Sequence, residues 1–169
     1  MSKTFPALSA SNLFFELLQV SIGARAVLSR PPTSQEWMEL FAMSRKQTLV
    51  GICFNGVQLL CQTAPNLVEF LPASCKMDWL AKAVGVQRRN EFMDKKTLET
   101  LAFFRENGFP CQVLKGQGIA TLYGDLGKMR QSGDIDVWLA GGRAKVYAFS
   151  RDVLGIITGA NYHHIHFPI

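Results

Sequence analysis

Two aspartates two residues apart, Asp134 and Asp136, are the side chains best suited to chemistry in this sequence. They stand in the run GDIDVWL, residues 133–139, whose composition predicts a strand. Because side chains alternate between the two faces of a strand, both carboxylates are expected on the same face. Like charges at this spacing repel each other unless a cation lies between them, and carboxylate oxygens suit Mg²⁺ or Mn²⁺ better than Zn²⁺. The pair therefore predicts a divalent metal site at a sheet edge.

A second motif, Lys115-Gly116-Gln117-Gly118, lies where a predicted strand over 111–114 passes into a predicted helix over 117–123. Free backbone N–H groups at the start of a helix attract anions, and glycine lets a phosphate approach the backbone. Alone, this motif is more typical of a plain turn than of an anion site. Together with the aspartates about 20 residues later, it predicts an anion site and a cation site at one edge of one sheet.

The two motifs together resemble the polymerase-β-like nucleotidyltransferase superfamily, in which a glycine motif at a strand-to-helix junction precedes an apolar-Asp-apolar-Asp-apolar strand. More narrowly, the segments LKG at 114–116, LYG at 122–124, Arg130 and GDIDV at 133–137 look like a family of uncharacterised bacterial nucleotidyltransferases with a helical N-terminal region. The resemblance is specific over residues 111–140 and only architectural elsewhere.

The resemblance implies a metal-dependent transfer of a nucleoside monophosphate from a nucleotide triphosphate to an unknown acceptor hydroxyl. Asp134 and Asp136 would be the catalytic residues and would bind Mg²⁺ or Mn²⁺, as in two-metal sites. The residues that the resemblance assigns to nucleotide and phosphate binding are Lys115, Gly116, Gln117, Arg130, Ser132 and Gly133.

The sequence departs from the superfamily at the third carboxylate, which the superfamily carries on a later strand. After Asp136 the only acidic side chain is Asp152, which falls in a predicted helix over 145–158. We therefore expect a truncated core, and whether this chain is an active enzyme stays open at this stage. The alternative is a non-catalytic module of the same fold that binds a nucleotide or a partner.

Other candidate side chains favour ordinary roles. Asp125 lies in the turn-like segment GDLG at 124–127. His164 and His166 would share one face of a predicted strand over 163–169, where packing is more typical than metal binding. Tyr123 and Trp138 are expected in the core rather than as platforms for a base.

Composition limits the remaining possibilities. The 169 residues are 48% hydrophobic, which is enough for a real core, and the net charge is +5 without a basic stripe, so nucleic acid is an unlikely partner. The four cysteines lack a CxxC pair and are expected to be reduced and mostly buried. No apolar run is long enough to span a membrane and no secretion signal is recognisable, so a cytoplasmic location is expected.

The predicted fold class is α+β, with a helical region over 1–108 followed by a small mixed-sheet nucleotidyltransferase core over 109–169. Helices are expected over 12–28, over 34–47 after a capping box from Thr33 to Glu36, over 50–62 in preference to a hairpin, and over 72–107 with a weak point at Gly85. An unfinished sheet would leave an edge strand able to pair with a second copy of the chain.

Overall fold

The computed structural model describes residues 10–155. Its α-helices are α1 (Ala10–Ser21), α2 (Ser34–Lys46), α3 (Val50–Thr63), α4 (Ala73–Glu106), α5 (Gln117–Ala120) and α6 (Gly142–Asp152). Two short strands are β1 (Cys111–Val113) and β2 (Val137–Leu139), and 3₁₀ turns cover Pro65–Val68 and Thr121–Met129. The described chain is thus mostly helical with a small sheet, which confirms the predicted α+β class.

The first helix is shorter than its sequence pattern. The apolar spacing predicts a helix to residue 28, but α1 ends at Ser21. Gly23 follows with φ of +75° and donates its N–H to the carbonyl of Val20. A glycine in this left-handed conformation is a common way to end a helix, and it outweighs the periodicity of the residues beyond it.

The capping box at the start of α2 is confirmed. Thr33 Oγ1 accepts a hydrogen bond from the backbone N–H of Glu36, and Glu36 Oε2 accepts one from the N–H of Thr33 at 2.8 Å. Arg30 donates to the same carboxylate at 2.8 Å. The pKa of Glu36 is lowered to about 2, first by the hydrogen bond from Arg30 and then by those from Thr33.

The helices α1, α2, α3 and the first half of α4 enclose an apolar core. Trp79 of α4 is fully buried there beside Trp37, Phe41 and Phe54, and its Nε1 donates to the carbonyl of Val50 at 3.0 Å. Residues 50–62 are helical, as preferred over a hairpin, because one face of α3 packs against α1 in this core. All four cysteines are free thiols, and burial raises the pKa of Cys53 to about 12.

Helix α4 is continuous over 34 residues, so the weak point expected at Gly85 does not interrupt it. The helix ends at Glu106, and Gly108 follows with φ of +77° and donates to the carbonyl of Arg105. The predicted C-terminal stop at Asn107-Gly108 is therefore confirmed.

Strands β1 and β2 form an antiparallel pair in which Cys111, Gln112 and Val113 lie opposite Leu139, Trp138 and Val137. One side of this pair is apolar, since Cys111, Val137 and Leu139 join a core cluster with Phe104, Phe109 and Phe149. Helix α6 begins at Gly142 and ends at Asp152, earlier at both ends than the predicted 145–158. The predicted strand over 163–169 lies outside the described residues.

The chain divides into two compact units. Of the described residues, the first contains 10–91 and Ala120–Ser132, and the second contains Phe92–Ile119 and 133–155. The predicted boundary between residues 108 and 109 stays a prediction. Among residues 10–155, no helix has the length and apolar character needed to cross a membrane.

Candidate functional site

In the second unit, Lys115 and Asp136 meet at the end of the strand pair. The N–H of Leu114 donates to the carbonyl of Asp136 at 2.9 Å, which carries the pairing one residue past β1. The next side chain, Lys115, places Nζ 3.1 Å from Asp136 Oδ2, an oxygen shielded from solvent. The pKa of Lys115 is raised, first by hydrogen bonding to Asp136 and then by the charges of Asp136 and Asp134. One ammonium group therefore lies in the field of both carboxylates.

The strand that carries the aspartates is shorter than predicted. We expected a strand over 133–139, but β2 begins only at Val137. The backbone carbonyl of Asp136 accepts the bond from Leu114, whereas Asp134 lies before the paired segment and is exposed. The described β1 is itself only three residues long, so it offers no pairing partner as far as Asp134. The charges of both carboxylates nevertheless act on Lys115, and their adjacency on one strand face stays a prediction.

Gly116 makes the turn that brings Lys115 towards the acidic segment. Its φ is +61°, a conformation that residues with a side chain rarely adopt. A Cβ added to Gly116 would lie 3.4 Å from the carbonyl oxygen of Asp134, so the turn passes directly beside that residue. Gly118 packs as closely on the strand end, because its Cβ would lie 3.2 Å from the carbonyl oxygen of Val113. The glycines allow the loop to lie against the end of β1 and the acidic segment.

Gln117 has a buried side chain that is bound within the second unit. Its Nε2 donates to Asp94 Oδ1 of α4 at 2.5 Å, which anchors the start of α5. Sequence analysis missed Asp94, since nothing in the spacing links residues 94 and 117. Helix α5 has only four residues, so few peptide dipoles are aligned at the expected anion site at its start. Phosphate binding by Gln117 stays a prediction.

Arg130 and Ser132 belong to the first unit, where they are held together. Arg130 Nη1 donates to Ser132 Oγ at 3.0 Å, and Ser132 is buried. Asn90 of α4 donates from Nδ2 to the carbonyls of Lys128 and Arg130, both at 2.7 Å. Asn90 was also missed, because a single asparagine in a long helix has no local sequence signal. Of the predicted site residues, the second unit therefore contains Lys115, Gly116, Gln117, Gly133 and the two aspartates. The first unit contains Arg130 and Ser132.

Trp138 and Tyr123 are not core residues, contrary to expectation. Trp138 is 52% exposed and Tyr123 is 54% exposed. The neighbours of Trp138 in β2, Val137 and Leu139, pack into the core cluster, so Trp138 points to the opposite, open face. The sequence pattern could not distinguish a core tryptophan from an exposed one on a two-faced strand.

Two other acidic side chains considered from the sequence, Asp125 and Asp152, have local partners. Asp125 pairs with Lys128 at 2.9 Å within one 3₁₀ turn, as its turn role predicts, and Asp152 pairs with Arg151 on α6. Across residues 10–155, no three acidic, histidine or cysteine side chains are grouped as a metal site. The histidines at 163, 164 and 166 lie outside that range.

Two carboxylates nevertheless fit the usual coordination of Mg²⁺ in proteins. This ion usually keeps several waters and binds through one or two carboxylates together with phosphates of the substrate. Asp134 and Asp136 supply that number of oxygen ligands, and Lys115 beside them is a suitable partner for a phosphate. The chemistry of these three side chains therefore fits a divalent cation and a phosphate.

A protein-family model matches more than half of the chain. A family model described as "Uncharacterised nucleotidyltransferase" matches residues 33–147, which covers most of the described helices and both strands. Neither a curated protein nor a solved structure matches the chain significantly.

Proposed function

The chain belongs to this uncharacterised nucleotidyltransferase family, and from that premise we propose that it transfers a nucleoside monophosphate from a nucleotide triphosphate to an acceptor hydroxyl, with Mg²⁺ or Mn²⁺ as cofactor. The observation that carries this proposal is the contact of 3.1 Å between Lys115 Nζ and Asp136 Oδ2, with Asp134 close enough to influence the same ammonium group. A cation and two carboxylates at one sheet edge are what a metal–triphosphate complex requires.

Lys115 is suited to exchange its partner. Its side chain is 64% exposed, so it can turn from Asp136 to a phosphate in solution without disturbing the core. That exchange would leave Asp136, whose side chain is only 33% exposed, next to Asp134 without its compensating charge. Because like charges at short range repel, the two carboxylates would then favour a divalent cation. Binding of phosphate by Lys115 and binding of metal by the aspartates would thus support each other.

The roles of the residues follow from their positions. Lys115 would bind and orient the triphosphate, and the Gly116 turn would let a phosphate approach the backbone. Asp134 and Asp136 would hold the cation, which when bound supplies charge stabilisation for the attacking and leaving oxygens. The products would be a nucleotidylated acceptor and pyrophosphate. The exposed ring of Trp138 in β2 would offer an aromatic surface for the base.

The proposal is tested first by binding of a nucleotide triphosphate, measured by calorimetry with and without Mg²⁺. We expect Mg²⁺-dependent binding that Asp134→Asn with Asp136→Asn abolishes, and that Lys115→Gln weakens roughly tenfold or more, the usual effect of losing a charge-assisted hydrogen bond.

The chain offers a matched control in the exposed pair of Lys128 and Asp125, which has the same two residue types at 2.9 Å. Asp125→Asn and Lys128→Gln should leave nucleotide binding unchanged. If the double aspartate variant binds nucleotide as the parent chain does, the metal site is refuted.

Turnover is tested separately with a triphosphate labelled at the α-phosphate, by following label in the protein or in candidate hydroxyl acceptors together with release of pyrophosphate. Label in a product, lost in the Asp134→Asn variant, would support the transferase. Mg²⁺-dependent binding without transfer to any acceptor tested would instead favour the non-catalytic binding module.

A further inference from the structure

A groove in the first unit lies between the middle of α4 and the segment that follows the second 3₁₀ turn. It has a volume of about 330 Å³ and is lined on the α4 side by Lys82, Gly85 and Arg89 and on the other side by Gln131 and Ser132. We call it the α4 groove. It lies outside the cluster of Lys115, Asp134 and Asp136, which belongs to the second unit.

Gly85 is the feature of this groove that the fold does not explain. Glycine inside a helix is less favourable than alanine, because it loses more backbone freedom on folding. A Cβ at Gly85 would have no atom of the described chain within 4 Å, and its φ lies outside the left-handed region, so neither close packing nor backbone geometry requires glycine. What the missing side chain provides is open space between Lys82 and Arg89.

The groove is positively charged on its α4 side. Lys82 and Arg89 are seven residues apart, two turns along one face of the helix, and Gly85 lies between them. Both are exposed, and neither makes an ion pair with any residue in the range 10–155. Among the described residues that line the groove, no side chain is acidic. Two uncompensated cations on either side of a gap favour an anionic ligand over a neutral one.

The opposite wall is held in place by hydrogen bonds. Asn90, one residue beyond Arg89, donates to the carbonyls of Lys128 and Arg130 at 2.7 Å each. Ser132 is buried and accepts from Arg130. The segment with Gln131 is therefore fixed against α4, so the groove has two ordered walls and not a free loop on one side.

We propose that the α4 groove binds the phosphate groups of a small ligand. An arginine and a lysine separated by a gap are typical donors for phosphate oxygens, and both line the α4 groove. The phosphates could belong to a phosphorylated acceptor or to a nucleotide. The proposal does not depend on the metal site, because it involves none of its residues.

The test titrates the chain with inorganic pyrophosphate in the absence of divalent metal. Binding is monitored through the amide NMR signals of Gly85, Arg89 and Gln131. We expect saturable shifts of these signals, with affinity lowered roughly tenfold by Arg89→Gln, since a charge-assisted hydrogen bond is lost. Arg88→Gln is the matched control, because it removes the same charge from the adjacent, exposed residue that does not line the groove. Equal losses in both variants would mean diffuse attraction only and would overturn the proposal.

Gly85 gives a second, steric test. Gly85→Leu should block pyrophosphate, and Gly85→Ala should weaken it less, while both variants fold at least as stably as the parent chain because alanine and leucine are better helix formers. Unchanged affinity in Gly85→Leu would overturn the proposal whatever happens at the metal site.

Two further binding experiments identify which kind of molecule carries the phosphate. If the groove holds the nucleotide, ATP should displace pyrophosphate and Gly85→Leu should weaken ATP binding. If it holds a phosphorylated acceptor, ribose 5-phosphate should shift the same signals in the presence of ATP, and Gly85→Leu should leave ATP binding unchanged. If neither ATP nor ribose 5-phosphate shifts these signals or competes with pyrophosphate, the groove has no phosphate-bearing ligand of either class and the proposal fails.

Discussion

Gly51 of α3 gives the sharpest test of how the first unit holds the segment that carries Arg130 and Ser132. A Cβ at Gly51 would overlap the backbone carbonyl of Met129, at the end of the second 3₁₀ turn. Backbone cannot rotate away as the end of a flexible side chain can. Gly51→Ala should therefore push the segment from α3, and the change should destabilise the first unit although alanine is the better helix former.

The expected change in the free energy of unfolding is the difference between two opposing effects. Forcing a methyl group into a packed contact costs about 1–3 kcal/mol, whereas replacing glycine by alanine in a helix contributes up to about 1 kcal/mol in the other direction. Gly85→Ala isolates the second effect, since its added Cβ meets no described atom within 4 Å. The difference in free energy of unfolding between the two variants should therefore be about 1–3 kcal/mol in favour of Gly85→Ala.

The assay is urea unfolding of both variants and the parent chain, followed by circular dichroism, with the slope against denaturant checked for constancy. Gly56→Ala is an intermediate case, because its Cβ would lie 2.8 Å from the carbonyl oxygen of Leu17. The close approach of α3 to the segment is refuted if Gly51→Ala stabilises the chain as much as Gly85→Ala does.

Three further predictions concern the pKa shift, the two kinds of tryptophan and the turn. The pKa of Glu36 in the folded chain is about 2, below its ordinary value of 4.5, so its stabilising contribution is present above about pH 4.5 and is lost as pH falls towards 2. Glu36→Gln should remove that part of the pH dependence of the midpoint of urea unfolding. Trp79→Ala should lower the free energy of unfolding by about 3–5 kcal/mol, whereas Trp138→Ala at an exposed position should change it by less than about 1 kcal/mol. Gly116→Ala should cost about 1–2 kcal/mol at φ of +61° and weaken nucleotide binding; equal stability in thermal unfolding would contradict the strained turn.

Local signals in the sequence predicted local structure well. The capping box of Thr33 and Glu36 and the glycine stop at Gly108 are formed by neighbouring residues, so their outcome depends little on the rest of the fold. Lys115 contacts Asp136, as the expectation of one sheet edge requires, because β1 and β2 are paired and each motif adjoins one of them. Their roles in metal and nucleotide binding stay predictions.

Features that depend on distant residues were not predictable. The bonds of Asn90 to Lys128 and Arg130, and of Gln117 to Asp94, join positions 23 to 40 residues apart, and no local spacing encodes them. The length of β2 depends on how far a partner strand extends, which a single segment does not reveal. Periodicity likewise overestimated α1, because it counts apolar residues and ignores the conformation that Gly23 adopts.

The placement of the tryptophans gives the protein an optical reporter of its own. Trp37 and Trp79 are fully buried in the first unit, and Trp138 of β2, two residues after Asp136 in the chain, is half exposed in the second. Water-soluble quenchers should therefore extinguish the emission of Trp138 while the other two remain protected. A nucleotide that covers the open face of β2 would shield Trp138 from the quencher, so occupancy of the site could be followed by fluorescence without any added label.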